Sequence, residues 1–123
     1  MQMLLLILTT LIGCLHLFIM GLEIFGKPEA QAKAFNMPLE FVNQANAKTA
    51  LGNQGIYNGL FGLIILATNF ILPVSQSAQN SFMMLLMLFV FGVGLYGGFT
   101  ATKKIFLMQC VPSAIALLLI CLV

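Results

Sequence analysis

The chain has 123 residues, 61% of them hydrophobic and 7% charged, with a mean hydropathy of +1.08. Soluble domains carry about 25% charged residues, so this composition excludes an ordinary aqueous domain and makes the lipid bilayer the expected partner. The formal net charge of +2 offers no basic surface for a nucleic acid.

Four apolar segments follow one another, residues 3–25, 50–72, 82–102 and 105–123. Each is close to the roughly 20 residues that a helix needs to cross about 30 Å of hydrocarbon, and none resembles a barrel strand of about 10 alternating residues. The fold expected is all-α: an integral membrane four-helix bundle, with residues 1–123 as a single transmembrane domain. No basic residue precedes the first segment and no small-x-small cleavage site follows it, so it is expected to remain in the mature protein.

Between the first two segments, Lys27-Pro28 opens "PEAQAKAF", with proline suited to a first helical turn, and Pro38 restarts the chain before "LEFVNQANAKTA". Phe35, Met37, Leu39, Phe41 and Val42 are too apolar for a free linker. They predict a short interfacial helix or a lid folded over the bundle, and periodicity leaves both open. The second segment begins with "GNQGIYNG" and continues as "LFGLIILATNFIL". A short uncharged turn, "PVSQSAQN", leads to the third segment, and Lys103-Lys104 links the third to the fourth, which makes antiparallel neighbours of segments two and three and of three and four. Glycines gather in segment two (Gly52, Gly55, Gly59, Gly62) and segment three (Gly92, Gly94, Gly97, Gly98), and predict that these two helices cross closely. Cys14, Cys110 and Cys121 lack paired spacing and are expected to be buried free thiols.

All the lysines (Lys27, Lys33, Lys48, Lys103, Lys104) fall in the first and third connections, and there is no arginine. The positive-inside bias places both connections in the cytoplasm and both chain ends outside, in a multi-pass protein of the cell inner membrane. Measured inward from the lysines at about 1.5 Å per residue, Glu23 lies about 6 Å deep and His16 about 16 Å. Asn53, Gln54, Tyr57 and Asn58 lie about 7 to 15 Å deep, Tyr96 about 10 Å, and Gln109 and Ser113 about 7 to 13 Å. The other half holds little polarity beyond Thr9, Thr10, Thr68 and Asn69. Ionisable groups within a bilayer turn inward and find partners. A cytoplasm-facing pocket is therefore expected, lined by His16, Glu23, Asn53, Gln54, Tyr57, Asn58 and Gln109, with Tyr96 at the same level. Glu23 then keeps its charge through hydrogen bonds from Gln109, Asn53 or His16, or is protonated. A closed network that only ties the helices together is the alternative. One histidine and no aspartate argue against a metal site, and no serine is set up as a nucleophile, although Ser113 lies near His16 in depth.

The ordered set "HLFIMGLE", "NQGIYNG", "GLYGGFTATKK" and "QCVPSAIAL" resembles the uncharacterised bacterial membrane family catalogued as domain of unknown function thirteen hundred and four. The resemblance spans nearly the whole chain and implies a four-helix inner-membrane protein. It puts the family's motif positions at His16, Glu23, Asn53, Gln54, Gly55, Tyr57, Asn58, Gly97, Gln109 and Pro112. The family often has a tryptophan after the first-helix glutamate, and this chain has none.

Four functions fit these residues. The first is a pocket, binding or catalytic, for a small polar or amphipathic molecule, with His16 and Glu23 as a proton-active pair. The second is a proton-coupled transporter acting as a homodimer; the third is a quinone-associated redox partner using His16, Tyr57 and Gln109. The fourth is a purely structural membrane subunit. Cofactor, catalytic activity and homo-oligomeric state are left open by the sequence.

Overall fold

The computed structural model describes residues 1–123 and is entirely helical. Its elements are α1 (Gln2–Phe25), α2 (Pro28–Phe35), α3 (Leu39–Val42), α4 (Ala45–Phe70), α5 (Gln76–Thr100), a π-helical stretch Phe106–Cys110, and α6 (Val111–Cys121). Three helices, α1, α4 and α5, are long and apolar enough to cross a membrane, and the apolar run Phe106–Cys121 is shorter. At about 1.5 Å per residue the three long helices extend about 36 to 39 Å.

Two of the long helices begin earlier than their apolar runs. Ala45, Ala47 and Lys48 are good helix formers that outweigh Asn46, so α4 starts at Ala45, ahead of the expected 50. Ser75 accepts a hydrogen bond from Ala78 N–H at 3.4 Å and starts α5 within what reads as a polar turn. The first connection holds two short helices. Pro28 stands in the first turn of α2, and Asn36, at φ 54°, ends it in the left-handed conformation that asparagine tolerates.

Helix α1 packs along α4, and α5 packs along the π stretch and α6; α4 and α5 touch only lightly. The expectation that the glycines of segments two and three face each other is therefore corrected. Three of the α4 glycines face α1, Gly52 facing open space: a Cβ on Gly62 would stand 2.7 Å from Gly13 O, and one on Gly55 or Gly59 would meet Ile24 or Met20. The α5 glycines face the chain that follows them, Gly94 against Cys110 and Gln109, Gly97 against Ile105, and Gly98 against Phe106. Small residues permit close backbone approach but do not choose the partner. Gly13, on the α1 side of the seam, carries no obvious sequence signal.

The π stretch has a covalent cause. Pro112 has no N–H to give to the preceding turn, and its ring crowds the carbonyl four residues back. The helix widens just before it, so that Val111 N–H reaches back to Phe106 O. Ser113 Oγ lies 2.6 Å from Gln109 O and 3.0 Å from Cys110 O, and is fully buried there.

An apolar core of Leu5, Ile12, Ile65, Met83, Met87, Val90, Ala116 and Ile120 joins α1, α4, α5 and α6. Gln2, Asn69, Gln76 and Asn80 border one surface cleft, and Gln76, Asn80 and Val123 border another beside it. Both chain ends and the α4–α5 connection thus share one end of the molecule. The first and third connections lie at the other, and so do all the lysines, Lys48 in the first turns of α4. Large apolar side chains such as Phe18, Leu63, Phe89 and Leu118 point outward along the sides between. Of the cysteines, only Cys110 is buried; Cys14 and Cys121 are exposed, against expectation.

Candidate functional site

The last two turns of α1, the third and fourth turns of α4, the end of α5 and the π stretch line a cleft of about 430 Å³ at the lysine end. Small-molecule sites usually measure about 300 to 1,000 Å³. Its polar lining is Glu23, Gln54, Asn58, Tyr96, Gln109, Thr102 and Lys104, and its apolar walls include Phe18, Leu22, Phe35, Val93 and Met108.

Glu23 is 6% exposed, and its Oε2 accepts a hydrogen bond of 2.8 Å from Asn58 Nδ2. Gly55 permits this approach: a Cβ there would come within 3.2 Å of Glu23 Cβ. The carboxylate is thus met by an amide of α4, not by Asn53, Gln109 or His16 as expected. Gln109 reaches the cleft from the opposite wall. The absence of a Cβ at Gly94 allows its backbone close to α5, and the π stretch sets its direction. It is 9% exposed and its backbone oxygen is matched by Ser113, while its side-chain amide makes no hydrogen bond to the protein. No buried side-chain nitrogen or oxygen of the protein is left without a partner, so the Gln109 amide, lacking one, is not closed off. It faces the cleft.

Three expected members do not share the cleft lining. His16 is 4% exposed and packs beside Phe61 at 5.3 Å between ring centroids. Its Nδ1 lies 2.9 Å from Ile12 O, a contact in which the carbonyl can only accept, so Nδ1 carries the proton. The expected pairing of His16 with Glu23 is replaced by this bond within α1. Asn53 and Tyr57 are exposed on the outside of α4, Tyr57 at 73%. The geometry explains the split. Gln54 and Asn58 are one turn apart and face the cleft; Asn53 and Tyr57 repeat the spacing about 100° around the helix. Tyr96 lines the rim while remaining 73% exposed.

One residue of consequence escaped the sequence reading. Gln31 on α2 is 6% exposed, and its Nε2 donates to Leu22 O and Glu23 O, both at 3.0 Å. These carbonyls lie in the last turn of α1; Leu22 O already accepts from Gly26 N–H at 2.9 Å, while Glu23 O has no following N–H of the helix to bond it. Gln31 thereby holds α2 across the end of α1, with Ala34 and Phe35 over the cleft. A lone glutamine among the alanines of "PEAQAKAF" is the only signal that could have suggested it. Ser113 is removed as a candidate nucleophile, since its hydroxyl is spent on its own helix.

A family model described as "Protein of unknown function (DUF1304)" matches residues 10–121. The "Uncharacterized protein YpaA" of Lactococcus lactis subsp. lactis (strain IL1403) is 36% identical over 119 residues, which cover 96% of this chain and 97% of that protein. No solved structure matches the chain. Match and relative both run nearly end to end, taking in the cleft residues Glu23, Gln54, Asn58, Tyr96 and Gln109. The chain therefore belongs to the DUF1304 family of proteins of unknown function.

Proposed function

We propose that the chain is a multi-pass inner-membrane protein that crosses the bilayer four times as a single bundle, and that the cleft at its cytoplasmic end binds a small polar or amphipathic molecule. The placement of both lysine-bearing connections in the cytoplasm, and of both chain ends outside, rests on the positive-inside bias. The fourth crossing is supported by the reach of α6: Ile120 joins the core with Leu5 and Met83, and Val123 lies beside Gln76. Residues 105–123 thus run the length of α5 despite the shorter regular helix. The short helices α2 and α3 would then lie at the cytoplasmic membrane surface.

The binding function rests on one observation, the side-chain amide of Gln109, which takes no hydrogen bond from the protein and is open to the same cleft as the Glu23 carboxylate. Groups that served only to tie helices together would be bonded to one another. Glu23, Gln54, Asn58, Gln109 and, at the rim, Tyr96 are the ligand-binding residues of this reading. His16 supports the wall from below. A quinone held jointly by His16, Tyr57 and Gln109 loses ground, because these three do not meet. A homodimeric proton-coupled carrier remains the second reading, favoured by the outward-facing Asn53 and Tyr57, which would lie between two copies.

Native mass spectrometry of the full chain, purified in mild detergent, tests the first reading. The wild type is expected to carry a bound small molecule or lipid that is depleted about tenfold in Gln109→Ala, by loss of hydrogen bonds to a charged or polar head. Equal retention in wild type and variant would overturn it. Proton-driven uptake in liposomes that is lost in Glu23→Gln would support the carrier instead.

A further inference from the structure

The cleft contains two opposite formal charges that do not serve each other. Glu23 is bonded to the neutral Asn58, while Lys104 lines the rim of the same cleft. Carboxylate and ammonium with space between them match a molecule that carries both charges in the reverse order. Gln109 lies on the same lining and can accept a hydrogen bond with its oxygen while donating two. This set suits a primary ammonium and a phosphate separated by a short link.

The cleft is also open sideways. Phe18, Val93 and Met108 line it, yet they are 66%, 43% and 44% exposed on the apolar flank of the bundle. A ligand seated there would have its head beside Glu23 and the rest of its body on the surface that faces hydrocarbon. Glu23 is four residues from Lys27, about 6 Å along the axis, which is the level of lipid headgroups. A wholly water-soluble ligand has no use for these three apolar walls.

Resting on the reading of the cleft as a binding site, we infer that its ligand is an aminophospholipid of the inner leaflet, with a primary ammonium on Glu23 and Gln109 and a phosphate on Lys104. Specificity comes from the N–H donors. A trimethylammonium head offers none and is wider, and a glycerol head has no positive charge to offset the carboxylate. Gln31 fits this arrangement, since it fixes the last turn of α1 that carries Glu23 and brings Phe35 over the head.

The test is lipid binding to the full chain in mild detergent, followed by native mass spectrometry, with phosphatidylethanolamine, phosphatidylcholine, phosphatidylglycerol and soluble phosphoethanolamine. Phosphatidylethanolamine is expected to bind once per chain and about tenfold more tightly than either other lipid, as the loss of charge-assisted hydrogen bonds implies. Glu23→Gln should abolish the preference and Lys104→Gln should weaken phospholipid binding a few-fold. The wild-type preference stands as a test even if Glu23→Gln fails to fold. Equal binding of phosphatidylethanolamine and phosphatidylcholine, or a preference for phosphatidylglycerol, overturns the inference while leaving a binding cleft. Phosphoethanolamine binding as tightly as the lipid overturns the lipid source. Absence of any binding above that of Gln109→Ala, for all four probes, overturns the inference and the cleft reading together.

Discussion

The two ends of the molecule use similar polar side chains in opposite ways. At the end shared by the chain termini, Asn69 Nδ2 donates to Thr9 Oγ1 at 3.0 Å and lies 3.1 Å from Thr10 Oγ1, while Thr68 bonds Ile64 O. Gln79 then covers the end of α4, its Nε2 lying 2.6 Å from Thr68 O and 3.2 Å from Asn69 O. These groups consume one another's bonding capacity. At the lysine end Gln31 covers α1 in the same manner, but beneath it Glu23 has one amide partner and Gln109 has none from the protein. Stapling accounts for the first end. It leaves the second with donors and acceptors to spare, which is the physical basis for assigning binding to that end alone.

The largest effect is expected where the two ends are joined. Gly62 and Gly13 form the closest approach of α1 and α4, with backbone oxygen as the obstacle to any added carbon. Gly62→Val should lower unfolding stability in detergent by about 3 kcal/mol, the upper part of the usual range for overpacking. Gly52→Ala, where nothing lies within 4 Å, should cost nothing and gain up to about 1 kcal/mol from helix propensity. Equal stability of Gly62→Val and wild type would break the picture of two ends held by one seam. Next in size is Asn69→Ala, at about 1 kcal/mol, since interhelical hydrogen bonds in membrane proteins average about 0.6 kcal/mol and two are lost. Its lipid preference should match wild type; a changed preference would mean that the closed end is not merely structural.

A smaller effect separates the two glutamine caps. Gln31→Ala removes one of two partners from Leu22 O and the side-chain partner of Glu23 O, and α2 has only eight residues with which to stay in place. Amide exchange in α2 should rise several-fold, with a global cost below about 1 kcal/mol. Gln79→Ala removes the same chemistry from the start of α5, a helix also anchored by Met83 and Met87 in the core, so exchange there should change less. Equal exchange responses would deny α2 any special mobility.

How much of this could be read in advance varied with the type of signal. Apolar runs marked the segments because burial in hydrocarbon acts on composition, which the sequence displays directly. Helix starts were less legible: Ala45, Ala47 and Lys48 favour helix without forming an apolar run, and hydropathy ignores propensity. Glycine spacing revealed that α4 and α5 each approach something closely; the partners, α1 for Gly62 and Cys110 for Gly94, depend on how the helices are arranged. Depth along each helix brought Glu23, Gln54, Asn58, Tyr96 and Gln109 to one level. It said little about azimuth, and a rotation of about 100° separates Asn53 and Tyr57 from their neighbours Gln54 and Asn58. Pro112 was visible, but its consequence, a π stretch that aims Gln109, arises only when Ser113 and Gly94 make room and bonds for it.

Among the polar substitutions, the smallest stability cost is expected at Gln109, the residue on which the proposed binding rests. Gln109→Ala removes a side-chain amide with no protein hydrogen bond to lose, so the cost should stay within about 0.5 kcal/mol, well below that of Asn69→Ala. The contrast is sharper than either value alone, because both substitutions shorten the amide side chain of a buried or half-buried residue to the same methyl group. Under a purely structural account the two costs would converge, since Gln109 would have to bond a neighbour to hold its helix in place. Under a binding account they diverge, and the deficit reappears only when lipid is added: phosphatidylethanolamine should raise the unfolding midpoint of wild type and Asn69→Ala but leave that of Gln109→Ala nearly unmoved. Stabilisation of all three by the same amount would mean that the added lipid acts through the apolar flanks in general, and the distinction between the ends would be one of packing only.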